Sequence, residues 1–190
     1  MFNYSKYNLG LDGCDFGKIK YCPMFLAPAQ VLRPYVSPEN LKSSLDLQKY
    51  YAKFGYNLGV DLVPYNELSS LTKADYAIDT YSPAMGVVLD VTEYQLRDNS
   101  IGKAVVIQYD ADYSFRVSNL TVVNVKKGDS VVQGNQIGTA KKFIHFEVLR
   151  YYKEYSTAKS YIFDKLRLFL SDPMPYFDMN FSGLDDGYGE

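Results

Sequence analysis

Phe143-Ile144-His145-Phe146-Glu147-Val148 is the stretch whose reading decides the fold. Its side chains alternate, so on a strand Phe143, His145 and Glu147 share one face while Ile144, Phe146 and Val148 share the other. One face is wholly apolar and suits a core, and the other carries the only histidine of the 190 residues. A lone strand histidine is more often a hydrogen-bonded structural residue than a ligand. Glu147 can bond it, and a surface or strand-edge role for Glu147 is an equal reading.

Working outward, period-two texture runs from about Tyr56 to Arg150. Gly86–Val91, Lys103–Tyr109, Tyr113–Ser118 and Lys142–Arg150 read as strands rich in Val, Ile, Phe and Tyr. Asp98-Asn99-Ser100, Asp110-Ala111-Asp112, Lys127-Gly128-Asp129 and Gly134-Asn135 are the turns between them. This spacing predicts a mainly β fold, an antiparallel sheet or small β-sandwich. Residues 65–79 read as a short helix or an irregular insertion. Residues 1–50 form an N-terminal extension, irregular with short strands up to about residue 36. Ser37 caps and Pro38 opens a helix over 38–54, which Gly55 stops. A second helix is expected over Ala158–Leu170, capped by Ser156 or Thr157 and ended by Asp172-Pro173. The β domain spans 51–178, and residues 179–190 read as an acidic, flexible tail.

Composition narrows the chemistry. One His and two Cys cannot build a zinc-finger tetrad or a two-metal site. The formal net charge of −2 gives no basic bias toward nucleic acid. No apolar stretch is long enough to span a bilayer, and the first twenty residues lack the apolar core of a signal peptide. Synthesis in the cytoplasm is expected, with Cys14 and Cys22 as free thiols by default and a disulfide between them as the alternative. Tyr accounts for 19 residues, which fits either an AT-rich genome or partly buried interfaces.

An ordered set of motifs then resembles the lysostaphin/LytM-type zinc endopeptidases of bacterial cell walls, whose fold is the duplicated-hybrid-motif type. Asn57-Leu58-Gly59-Val60-Asp61 stands at the family's H-x-G-x-D, and Phe143-Ile144-His145-Phe146-Glu147 at its H-x-H-F-E. Between them, Ser82–Val88, Gly102–Ile107, Asn119-Leu120, Val125–Val131 and Gln136-Ile137-Gly138 follow in the family's order, and Asp172-Pro173-Met174-Pro175-Tyr176 resembles the segment that closes the domain. The resemblance covers about 120 residues and leaves 1–50 aside.

The resemblance implies metal-ligand positions at Asn57, Asp61 and His145, and catalytic histidine positions at Asn119 and Phe143. Three of these five have lost the family's histidine. A catalytic zinc takes three protein ligands and a water, and an Asn amide replaces an imidazole poorly. Phe143 moves no proton, and Asn119 donates a hydrogen bond but does not titrate. The loop between Gly138 and Phe143 is also shorter than in the family. The resemblance therefore implies a pseudo-enzyme with no cofactor: a structural or binding module, expected as a tail-associated bacteriophage virion protein. Its expected partners are proteins of a virion or cell-wall assembly, and peptidoglycan. The alternatives are a zinc-dependent peptidoglycan endopeptidase that recruits Glu67, Asp75 or Asp79 as third ligand, and a wall-binding module without cleavage.

Overall fold

The fold is described from a computed structural model, which covers residues 18–33, 35, 59–65, 76–96, 99–152 and 170–181. The expected helix at 38–54, Asn57, Glu67, Asp75 and Cys14 lie outside the described residues.

Ten strands and one helix follow in chain order among the described residues: β1 (Lys18–Cys22), β2 (Ala27–Arg33), β3 (Val60–Pro64), β4 (Ala77–Tyr81), β5 (Gly86–Gln95), β6 (Ile101–Gln108), β7 (Tyr113–Val123), β8 (Ser130–Val131), β9 (Gln136–Arg150), β10 (Leu170–Ser171) and α1 (Met174–Phe181). They form a single antiparallel sheet in the order β1-β2-β3-β9-β7-β6-β5-β8, with β4 and β10 also on β9. The antiparallel sheet is as expected, and the architecture is an open sheet rather than a sandwich.

The opening hexapeptide lies in β9, the hub of the sheet. One edge of β9 takes three partners in turn: β4 along 136–141, β3 along 144–146 and β10 along 148–149. The other edge runs beside β7. Between the β4 and β3 segments Lys142 turns to φ 69° and donates its backbone N–H to Tyr76 O at 3.1 Å. Across the sheet the register jumps from Ser118↔His145 to Leu120↔Ala140, leaving three surplus residues on β9. This bulge bends the hub strand, the usual effect of unpaired residues in a ladder.

Strand alternation builds the core as expected. Ile144 and Phe146 are fully buried with Val60, Leu62, Phe115 and Val117. Helix α1 closes over this face. The Phe146 ring lies 5.6 Å from Phe115, 5.8 Å from Tyr176 and 5.5 Å from Phe177. Such tilted aromatic packing supplies both buried area and preferred ring geometry.

Several expectations need correction. Leu170, the expected end of a helix, pairs with Leu149 as part of β10. Asp172-Pro173 starts a helix instead of ending one. The Asp172 carboxylate accepts the Met174 N–H at 2.9 Å, and Pro173 precedes the first turn. Asp-Pro serves either role, since both an N-cap and a stop favour it. Helix α1 runs across the boundary between 178 and 179 at which a flexible tail is expected. Residues 77–79, the end of the stretch read as a short helix or irregular insertion, lie in strand β4. The described part of the N-terminal extension joins the sheet, since β2 pairs with β3.

Cys22 is a free thiol with no exposed surface. Burial pushes its pKa up to about 12, partly offset by backbone hydrogen bonds at Met24 and Phe25. It is a protonated core residue at neutral pH, inert toward metals and oxidants.

Candidate functional site

The face of β9 opposite the core carries a continuous chain of charges. Register sets it: Arg33 stands across from Asp61, Asp61 from His145, and His145 from Ser118. Two positions along, Glu147 stands across from Arg116. Directly opposed residues share a face, so five titratable side chains from four strands meet.

Their bonding alternates in sign. Arg33 Nε donates to Asp61 Oδ2. Asp61 Oδ1 lies 2.7 Å from His145 Nδ1, and His145 Nε2 lies 3.3 Å from Glu147 Oε1. Glu147 Oε2 accepts from Arg116 Nη1 at 3.0 Å. The carboxylates are the deepest members, with side chains 1% and 5% exposed for Asp61 and Glu147. Glu147 thus bonds His145 from a buried position, and the surface reading is set aside.

Both imidazole nitrogens face carboxylate oxygens, which only accept, so both must donate and His145 is an imidazolium. Burial alone would lower its pKa. The hydrogen bonds and charges of Asp61 and Glu147 outweigh that and raise it to about 9. For Glu147 burial alone would raise the value, and His145 and Arg116 bring it down to about 2.

Linkage fixes the sign of the pH dependence. The imidazolium contributes stability fully below its unfolded value of about 6.5, and this is lost as pH rises through about 9. The Glu147 contribution is present above its unfolded value and is lost as pH falls toward 2. With a single histidine in the chain, NMR of the imidazole protons reads this directly. His145 is expected to stay protonated at pH 7.5 and to titrate near 9. A midpoint near the ordinary value would contradict the pairing.

Asn119 and Phe143, where the resemblance implies catalytic histidines, have structural work. Asn119 sits at φ 68°, in the left-handed region that Asn tolerates better than most residues. Its Nδ2 donates to Lys141 O at 2.9 Å and to Phe143 O at 2.7 Å. Those carbonyls belong to the β9 bulge, so the amide clamps it. Its own N–H donates to the Tyr94 hydroxyl at 2.7 Å. Burial raises the Tyr94 pKa, and its ring lies under the Arg116 guanidinium at 5.8 Å. Phe143 packs against the main core. Arg33, Arg116 and Tyr94 were not legible as site residues, because their proximity depends on strand register.

A zinc ion fits this arrangement poorly. A ligating imidazole must present a lone pair, and both His145 nitrogens are engaged by carboxylates. Both Asp61 oxygens are taken by Arg33 and His145. Asp79, a candidate third ligand, is exposed on β4, where its carboxylate accepts from Gln136 Nε2. It pairs with Thr139, which the β9 bulge separates from His145. Asn57, Glu67 and Asp75 lie outside the described residues.

Residues 72–156 match the model of peptidase family M23. That stretch, 85 of the 190 residues, resembles a LytM-type domain. Lysostaphin in its solution structure superposes with a TM-score of 0.50 at 15% identity, over 85% of this chain and 54% of that one. That likeness shows the shared β fold. A chain of the SpoIIIAH–SpoIIQ complex is similar over 78% of this chain and 92% of its own, at 15% identity and a TM-score of 0.49. A zinc-containing peptidase from Vibrio cholerae aligns over 50% of this chain and 27% of its own, at 27% identity and a TM-score of 0.38. No curated protein matches the chain. Family M23 is typically zinc-dependent, whereas Asp61 and His145 here belong to an ion-pair chain.

Proposed function

We propose that this LytM-type domain is catalytically silent and works as a structural or binding module through protein partners. The observation that supports it best is the closure of the ligand positions upon themselves. Asp61 and His145 are bonded to each other, and Arg33 and Glu147 take their remaining polar atoms. A catalytic zinc needs an open position for the water it activates. The chain of charges presents none, and Asn119 and Phe143 provide no proton transfer.

Two measurements on the full chain test this together. Metal analysis after expression in zinc-supplemented medium is expected to find well under one zinc per chain. Incubation with purified peptidoglycan or a pentaglycine substrate is expected to release no new amines above buffer. Stoichiometric zinc, with cleavage that disappears in His145→Ala and on chelation, would overturn the proposal in favour of a rearranged peptidase.

In its finer form the proposal places the module in the tail of a bacteriophage virion, after synthesis in the cytoplasm. The tyrosine-rich composition, with 19 Tyr, supports it only as an interface-forming surface chemistry. Mass spectrometry of purified particles tests this version separately, and absence from every particle fraction would remove it.

A further inference from the structure

Beyond Phe146, strand β9 continues with Val148 and Arg150 on the core face, opposite the face that carries the ion-pair chain. There the β6–β7 turn, the end of β9, strand β10 and the start of α1 enclose a cleft of about 600 Å³. That volume lies inside the range of roughly 300–1,000 Å³ that ligand pockets span.

The interior of the cleft is aromatic. Phe115 and Tyr176, both buried and with ring centroids 4.6 Å apart, form its floor with Val148 and Leu170. Tyr109 leans on Phe115 at 5.2 Å and is 51% exposed, so its ring is available to a group that enters.

The mouth carries both signs of charge. Arg150 lies over the Tyr113 ring, with Cζ 5.1 Å from the centroid, and no carboxylate pairs with it among the described residues. Asp110 Oδ1 accepts the N–H groups of Asp112 and Tyr113 at 2.9 and 2.8 Å, which leaves Oδ2 without a bond among the described residues. Asp172 likewise uses only Oδ1, on the Met174 N–H. One guanidinium and two carboxylates therefore border the same aromatic cleft without neutralising one another.

This combination selects among ligand chemistries. A phosphate or a nucleic acid would face two carboxylates for one guanidinium. A lipid chain gains nothing from a charged mouth. A sugar stacks on an open aromatic surface, whereas this floor is recessed and partly aliphatic. A peptide satisfies every part. An aromatic side chain fills the floor, a backbone carbonyl accepts from Arg150, and a neighbouring basic side chain meets Asp110 and Asp172. The one surplus negative charge at the mouth sets the preference for a basic neighbour.

We propose that this cleft binds a peptide segment of a protein partner that presents an aromatic side chain between basic ones. The inference rests on the reading of the chain as a module that works through protein partners, and it names the chemistry of such a partner.

Fluorescence titration of the full chain tests it. The chain has no Trp, so a Trp-bearing probe reports alone. Emission of the end-blocked tripeptide Lys-Trp-Lys is expected to shift and saturate with a submillimolar dissociation constant. Glu-Trp-Glu is expected to bind about tenfold more weakly or worse. Asp110→Asn keeps the Oδ1 acceptor and removes the charge. It is expected to weaken Lys-Trp-Lys about threefold while the thermal midpoint holds. Tyr109→Ala removes the exposed wall and is expected to weaken both peptides. No saturable shift at millimolar peptide, equal binding of the two peptides, or binding indifferent to both substitutions would each overturn the proposal. Displacement of the probe by the N-acetylglucosamine trimer at lower concentration than by Lys-Ala-Lys would also overturn it, in favour of a glycan site. Zinc content and peptidoglycan cleavage are read separately, so a failed titration leaves the catalytically silent reading standing.

Discussion

Asp61→Ala is expected to lose about 3–5 kcal/mol of folding stability in urea titration, the usual result of removing one partner from a buried ion pair. Asp61 has almost no exposed surface and bonds two cationic side chains at once. Its removal leaves the Arg33 and His145 side chains without the buried carboxylate that bonds both. Single domains hold roughly 5–15 kcal/mol in all, so the variant should be close to unfolding at 37 °C. A second variant separates charge from cavity. Replacing Arg33, Asp61 and His145 together by apolar residues of similar volume removes every unpaired charge, and it is expected to lose far less than Asp61→Ala alone. A loss under about 1 kcal/mol for Asp61→Ala would mean that the chain behaves as an exposed surface pair, contrary to its burial.

The same residues show what sequence could and could not reveal. Alternation in Phe143–Val148 placed His145 and Glu147 on one face and the core on the other, because side-chain direction in a strand is a local property. The Lys127-Gly128-Asp129 turn was legible for the same reason, as its chemistry is local. Arg33 and Arg116 were invisible because they reach the site through register: β2 adds to β3, and β7 lies along β9. Nothing local to residues 27–33 announces that pairing. Asn119 was legible as a lost histidine, but its clamp on the β9 bulge required knowing that three residues of β9 are surplus there. Strand β4 and helix α1 were misread where the local signals serve two structures equally.

Phe143 and Asn119, two of the three positions where the resemblance implies a histidine, join the ion-pair chain in one physical pattern. A zinc peptidase site keeps a mobile, multiply charged ion with an open position. Here the positive charge beside Asp61 belongs to a guanidinium tethered to β2, and His145 has become a cation itself. Phe143, in turn, gives its surface to the core, and the Asn119 amide is fully spent on two carbonyls. Each change converts a group that must be free to react into one that holds neighbouring strands together. Asn119→His with Phe143→His would therefore still leave Asp61 and His145 engaged by Arg33 and Glu147.

Gly86→Ala is expected to destabilise the chain by about 3 kcal/mol or more, the upper range for forcing atoms into a packed interior. Gly86 opens β5, where it pairs with Val131 of β8. A Cβ there would stand 2.0 Å from Gln108 O and 2.9 Å from Ile107 Cγ2. The first contact is with backbone at the end of β6, so no rotamer change relieves it. Either β5 separates from β6 or the ladder shifts, and both disturb Val88 and Ile107, which are buried in the core. Gly128→Ala is the matched control. Its Cβ would meet nothing within 4 Å, and its only handicap is a φ of +92°. That strain costs about 1 kcal/mol. The two substitutions add the same methyl group on either side of the same β5–β8 junction. Urea midpoints should therefore fall much further for Gly86→Ala than for Gly128→Ala. Equal shifts would show that β5 and β6 have room between them, and the close strand approach that anchors this end of the sheet would have to be given up.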